Sequence, residues 1–254
     1  MSEIIILRNL IKNYPLIVAS NEEDPNTNEN NIKKLSKDIV GRADDKSCLA
    51  VNYNSIFATY TKQGITKGKS VNKLITDILK KSSLDEVLEY LKTIDTSEYP
   101  HINLIFGNKE KVFVAYSYFC NNFICIEVSG NESVLTQDII FNRNNVVFNK
   151  SSRIHNKISS IRYDAGNSWN SVYKFIKELL KTTKVKKLTR FSTILAFKKG
   201  GLSKYKAIDR VKEKVYKDYF EKFAKNNSLA EEDYEEDVEE VNDPIKEVYE
   251  IIGG

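Results

Sequence analysis

Short apolar or alternating runs dominate the first two thirds of the chain, and segments with helical spacing frame them. Residues 4–7 and 16–20 read as an antiparallel hairpin turning near Ile11 and Lys12, which brings Ser2 roughly across from Asn21. The polar stretch 22–46 is long enough to serve as a covering loop. Residues 47–51 and 56–61 form a second hairpin around Asn52-Tyr53-Asn54. Val71, Leu74, Ile75 and Ile78 predict a helix over 71–81, and Ser83 caps a second over 84–91.

Beyond Tyr99-Pro100 the pattern returns to strands at 102–106, 111–120, 123–128, 138–140, 146–148 and 154–160. A helix over 168–180 and a buried strand over 191–197 follow. Tyr205, Ile208, Val211, Val215, Tyr219 and Phe223 predict a long amphipathic helix over 205–223. The fold class is therefore α+β. The order favours two sheets covered on the outside by helices, and periodicity alone equally allows one open sheet.

With 254 residues and 41% hydrophobic content the chain can bury a good core as one domain, taken as 1–228, with an acidic tail at 229–254. No run of about 18 apolar residues is present, and the start lacks the basic region and apolar stretch of a signal peptide. A cytoplasmic protein with no membrane span is the expectation. Cys48, Cys120 and Cys125 do not form a disulfide framework. In a hairpin around Asn121-Asn122, Cys120 faces Phe123 and Cys125 faces Tyr118, which leaves the thiols roughly 7–8 Å apart and reduced.

The formal charge of +4 is uneven: eleven acidic residues against one lysine put residues 230–254 at −10, and the rest of the chain carries +14. A basic body with an acidic tail admits polyanion binding gated by the tail, but no RNA-binding or helix-turn-helix signature accompanies the charge. The lysines of 181–190 lack interleaved aromatics for base stacking. Nucleic acid is thus disfavoured as a partner, and a small-molecule substrate or ligand is preferred. Trp169, Tyr173 and Ile176 recur at helical spacing and read as helix core. His101 and His155 lack carboxylate partners at catalytic spacing, no calcium-loop pattern organises Asp44-Asp45 or Glu22-Glu23-Asp24, and no glycine-rich phosphate loop appears. No metal and no cofactor is implied.

The start of the chain carries the most pointed chemistry. Once Met1 is removed, the α-amine of Ser2, with a reference pKa of about 7.7–8.0, can take the proton from its own side chain. The hairpin then sets this nucleophile beside Asn21, Glu22, Glu23 and Asp24.

Several segments, in order, resemble the NRDE family, which includes the transport and Golgi organisation protein 2 homologues. That family opens with Met-Cys and a strand, then a strand running into Asn-Arg-Asp-Glu; the equivalents are Met1-Ser2 and Leu16-Ile-Val-Ala-Ser-Asn21-Glu22-Glu23-Asp24. Arg42 to Asn52 and Ile56 to Thr61 look like its Gly-Thr-Trp-Leu-Gly-Val hairpin, and Lys67-Gly68-Lys69 falls where it has Ser-Arg-Gly. Tyr99-Pro-His-Ile-Asn-Leu104, His155-Asn156 with Trp169 beyond, and Thr189-Arg-Phe-Ser-Thr-Ile-Leu195 are similar to its later blocks. Together these cover roughly residues 1–198.

The resemblance implies the four-layer αββα sandwich of N-terminal nucleophile hydrolases, with relatives that cleave linear amide bonds. By position it implies Ser2 as nucleophile and base, Asn156 as oxyanion donor, Arg190 as orienting cation and Glu23 in place of an aspartate, with Asn21, Glu22, Thr61 and Asn103 lining the substrate site. Three departures are chemically consequential. Ser2 stands for Cys, Thr61 for Asn, and Glu22 for Arg, whose carboxylate would hold the α-amine protonated. Two functions therefore stand side by side: a hydrolase of amide or ester bonds, and a non-catalytic binding or carrier protein for a small amphipathic ligand, lipid-like or haem-like.

Overall fold

The computed structural model describes residues 3–23, 33–36, 38–43, 48–62, 68–117, 121–128, 132–136, 168–183, 189–199, 204–209, 214–216 and 238–240. In chain order the first strands are β1 (Glu3–Ile11), β2 (Tyr14–Glu23), β3 (Lys33–Ser36), β4 (Ile39–Ala43), β5 (Cys48–Asn52) and β6 (Phe57–Lys62). Helices α1 (Val71–Leu79) and α2 (Leu84–Lys92) come next, then β7 (Ile102–Gly107), β8 (Val112–Tyr116), β9 (Ile124–Glu127) and β10 (Glu132–Thr136). Helix α3 (Trp169–Thr183) precedes β11 (Thr189–Phe197), β12 (Lys204–Asp209), β13 (Lys214–Tyr216) and β14 (Val238–Glu240).

The strands form two antiparallel sheets of seven. One has the order β10-β1-β2-β11-β12-β13-β14 and the other runs β3 to β9 in sequence. The opening hairpin turns at Lys12 and Asn13, with Ile11 opposite Tyr14. Its register shifts between Arg8 and Ile11, where Asn9 adopts a φ of 54°, a left-handed conformation that Asn tolerates better than most residues.

Three apolar layers hold these elements. Val71, Leu74, Ile75 and Ile78 of α1 and Val87 and Leu91 of α2 pack on Ala58, Tyr60, Leu104 and Phe106 of the second sheet. Val172, Ile176 and Leu179 of α3 pack on Ile5, Ile17, Ala19 and Ile194 of the first. Ile4, Ile6, Val18 and Leu195 of the first sheet meet Leu49, Val51, Phe57 and Ile105 of the second. The N-caps match the expected helix starts: Ser70 Oγ accepts from Lys73 N–H, and Ser83 Oγ accepts from Glu86 N–H at 3.2 Å.

Four expectations change. Residues 204–209 are strand β12 and 214–216 strand β13, where spacing predicts one helix over 205–223. β12 has a buried residue on each face, Tyr205 in the layer between the sheets and Ile208 in the layer under α3, three positions apart as in a helical stripe. Part of the stretch taken as a covering loop is the hairpin β3–β4. There Gly41 lies so close to β5 that a Cβ would sit 2.4 Å from Ala50 Cβ. Cys125 pairs with Ala115, not with residue 118. Val238–Glu240 of the acidic tail adds the outermost strand of the first sheet. The strands expected at 138–140, 146–148 and 154–160 lie outside the described residues.

Candidate functional site

Alternation along each strand sorts side chains to the two faces of its sheet. On β2, Leu16 and Val18 enter the layer between the sheets while Ile17 and Ala19 pack under α3. Ser20 continues the first series and Asn21 the second. On β11, Phe197 and Leu195 lie between the sheets and Ala196 and Ile194 under α3; Thr193 continues the first series and Ser192 the second. On the facing sheet, Phe57 is followed on its face by Thr59, Ile105 is preceded by Asn103, and Val112 and Val114 are followed by Tyr116. Each facing surface thus turns from apolar to polar along its strands.

Two contacts tie the sheets together and fix which ends coincide. The Arg8 guanidinium donates to the Val128 carbonyl at 2.8 Å and to the Glu110 carbonyl at 2.7 Å, joining the far end of β1 to the β7–β8 turn and the exit of β9. The Tyr205 hydroxyl donates to the Leu49 carbonyl at 2.8 Å in the buried middle. With the Arg8 ends fastened together, Ser20 and Thr193 of one sheet and Asn103 and Tyr116 of the other lie toward the opposite end, with Thr59 one row inward beside Leu49 and Ile105. Ser20, Thr59 and Thr193 are buried, and Asn103 and Tyr116 half-buried. The layer between the sheets is thus apolar at the Arg8 end and polar toward the other.

The first described residue, Glu3, pairs with Asn21 across the hairpin, and Asn21 in turn pairs with Ser192. Ser2 and Asn156 lie outside the described residues. Glu22 is opposite Phe191, Glu23 is opposite Thr189, and Arg190 falls at the register shift between those two partners. Thr61 is opposite Asn103. The fold therefore brings together the end of β2 with the start of β11, and Thr61 with Asn103, at one end of both sheets. Asn21 itself faces α3. Its Nδ2 donates to the Leu180 carbonyl at 2.8 Å and its Oδ1 accepts from Ser192 Oγ at 2.6 Å, both buried, so its amide holds β2, β11 and α3 in place.

Ser20, Thr59, Thr193 and Tyr116 were not singled out by sequence reasoning. The signal available was a small polar residue continuing an apolar series at a spacing of two, as in Leu16-Val18-Ser20. Cys125 is half-buried; burial pushes its thiol up, with Lys92 pulling partly the other way, which disfavours a nucleophilic thiolate. His101 is exposed. Among the described residues no group of three His, Cys, Asp or Glu is arranged to hold a metal ion, and no helix is long and apolar enough to cross a membrane.

The class defined by these observations is an α+β protein with two antiparallel sheets and polar residues toward one end of the layer between them. No family model and no curated protein sequence matches the chain. Solved structures of similar shape include a Caenorhabditis elegans orthologue of N-acylethanolamine-hydrolyzing acid amidase, at 10% identity and a TM-score of 0.40 over 76% of this chain and 92% of that one. Anbu from Hyphomicrobium sp. strain MC1 matches at 12% identity and a TM-score of 0.44 over 91% and 100%. Anbu, described as an ancestral beta-subunit, from Yersinia bercovieri matches at 10% and 0.43 over 92% and 100%.

Proposed function

We propose that the chain is an NRDE-like protein with the four-layer αββα sandwich of N-terminal nucleophile hydrolases, and that it cleaves a linear amide or ester bond through Ser2 after removal of Met1. The observation that supports this reading is the pairing of Glu3 with Asn21, which sets the start of β1 at the polar end of the inter-sheet layer. Ile4 and Ile6 of β1 face the layer between the sheets. In this scheme the free amine of Ser2 takes the hydroxyl proton as the oxygen attacks the carbonyl carbon, and returns it to the leaving group. Asn156 donates to the oxyanion, an interaction typically worth about 10²–10³ in rate. Arg190 and Glu23 orient the amine and substrate, and Glu22, Thr61 and Asn103 border the substrate. Asn21 acts as a positioning residue behind them.

A second reading is a binding protein for an amphipathic small molecule. It is favoured by Ile124 and Ile126, 40% and 55% exposed and paired with Tyr116 and Val114 at the edge of the second sheet. The intact mass of the natively expressed protein separates the two. Loss of Met1, with hydrolysis of amide or ester substrates that disappears in Ser2→Ala, supports the hydrolase. Retention of Met1, with ligand affinity unchanged in Ser2→Ala, supports the binding protein and rules the hydrolase out.

A further inference from the structure

The first sheet ends on two short strands of opposite charge. β13 lies in a segment with Arg210, Lys212, Lys214 and Lys217 against Glu213 and Asp218, while β14 belongs to the tail with eleven acids and one lysine. They pair antiparallel, with Lys214 opposite Glu240, Val215 opposite Glu239 and Tyr216 opposite Val238. Residues directly opposite in such a pair share a face, where unlike charges stabilise and like charges destabilise. The same register row runs from Glu22 through Phe191, Asp209 and Lys214 to Glu240, so β14 joins the sheet at the end that carries the candidate site.

β14 is outermost and held through three residue pairs. An exposed strand edge is a template for an added strand, with main-chain hydrogen bonds supplying affinity and side-chain chemistry supplying choice. We propose that the β13 edge is a docking site for an acidic, extended peptide, occupied in cis by residues 238–240 and opened to an acidic strand of a protein partner when that segment leaves. A tethered strand competes at an effective concentration in roughly the millimolar range, so the edge is closed to dilute peptide until the cis strand is disabled.

The test uses the full-length chain and a fluorescent peptide with the sequence of residues 234–243. Two variants release the cis strand by different means: Val238→Pro with Glu239→Pro removes a ladder donor whichever of the two N–H groups faces β13, and Glu239→Lys with Glu240→Lys reverses its charge. Both should bind the peptide at least about tenfold more tightly than the wild type, with affinity falling as salt rises. Adding Lys214→Glu to the proline variant should cancel the gain, and a peptide with lysines at the two glutamate positions should recover it. Far-UV circular dichroism checks that each variant stays folded. Equal binding by wild type and both released variants would overturn the proposal. So would equal binding of a scrambled peptide, which would mark the surface as a general polyanion site.

Discussion

The two ends of the layer between the sheets are built from the same strands and behave as opposites. At one end Leu16, Phe57 and Phe197 are fully buried, the two phenylalanine rings lie 6.0 Å apart, and Arg8 is fastened to two carbonyls across the gap. At the other, Ser20, Thr193, Thr59, Asn103 and Tyr116 stand at the equivalent strand positions. The apolar end gains from area removed from water, while the polar end forgoes part of that gain and places hydrogen-bonding groups at the corresponding strand positions. Stability and chemistry are thus separated along the strands within one layer.

Substitutions at the two ends should separate accordingly. Phe197→Ala at the apolar end should cost the most, about 3–5 kcal/mol, read by urea denaturation, because it removes a buried ring and leaves a cavity. Asn21→Ala should cost less, roughly 2–3 kcal/mol, since it removes two buried hydrogen bonds, one to the Leu180 carbonyl and one from the Ser192 hydroxyl, behind the polar end. A loss as large as that of Phe197→Ala would break the distinction between the ends. Tyr205→Phe, which removes one inter-sheet hydrogen bond in the middle of the layer, should cost about 1 kcal/mol. Ser83→Ala, on an N-cap remote from both ends, should also cost about 1 kcal/mol by thermal melt and leave ligand binding untouched.

The smallest effect is a pH dependence outside the layer. Hydrogen bonds from the Ser82 hydroxyl and backbone N–H hold the Glu86 carboxyl below its ordinary 4.5. A lowered folded value means that the contribution is present above the unfolded value and is lost as pH falls through the folded one. Acid titration of Ser82→Ala should flatten that loss without altering behaviour near neutrality.

Legibility differed by element for physical reasons. The helices α1 and α2 were plain because each has one buried stripe and a serine cap; Val71, Leu74, Ile75 and Ile78 all face the same sheet. β12 was not, because both its faces are covered: Tyr205 and Ile208, three apart, mimic a helical stripe while lying on opposite sides of a strand. Lys206 sharpens the confusion, since its ammonium rests 4.4 Å from the Tyr173 ring centroid, on the face that a polar residue would ordinarily give to water. The hairpin β3–β4 is short, with Leu35, Ile39 and Val40 too few to show a strand period, and it is pairing with β5 and burial of Ile39 in the layer under α1 that hold it.

At the candidate site the chain indicated the region and not the face. The hairpin of β1 and β2 was readable from two apolar runs around a turn, and with it the approach of the chain start to Asn21 and Glu22. Thr61 and Asn103 were named as separate site positions, and their direct pairing comes from the adjacency of β6 and β7.

By itself the sequence determined which segments carry a buried face, where two helices begin, and that basic and acidic charge divide between body and tail, because these follow from spacing, capping and composition within a few residues. Only the tertiary structure decided that Ser20 looks between the sheets while Asn21 looks to α3, that Arg8 closes one end and leaves the other polar, and that β14 joins the edge of β13. A one-residue step inverts a strand's face, and when both faces are buried no local pattern says which neighbour each will meet.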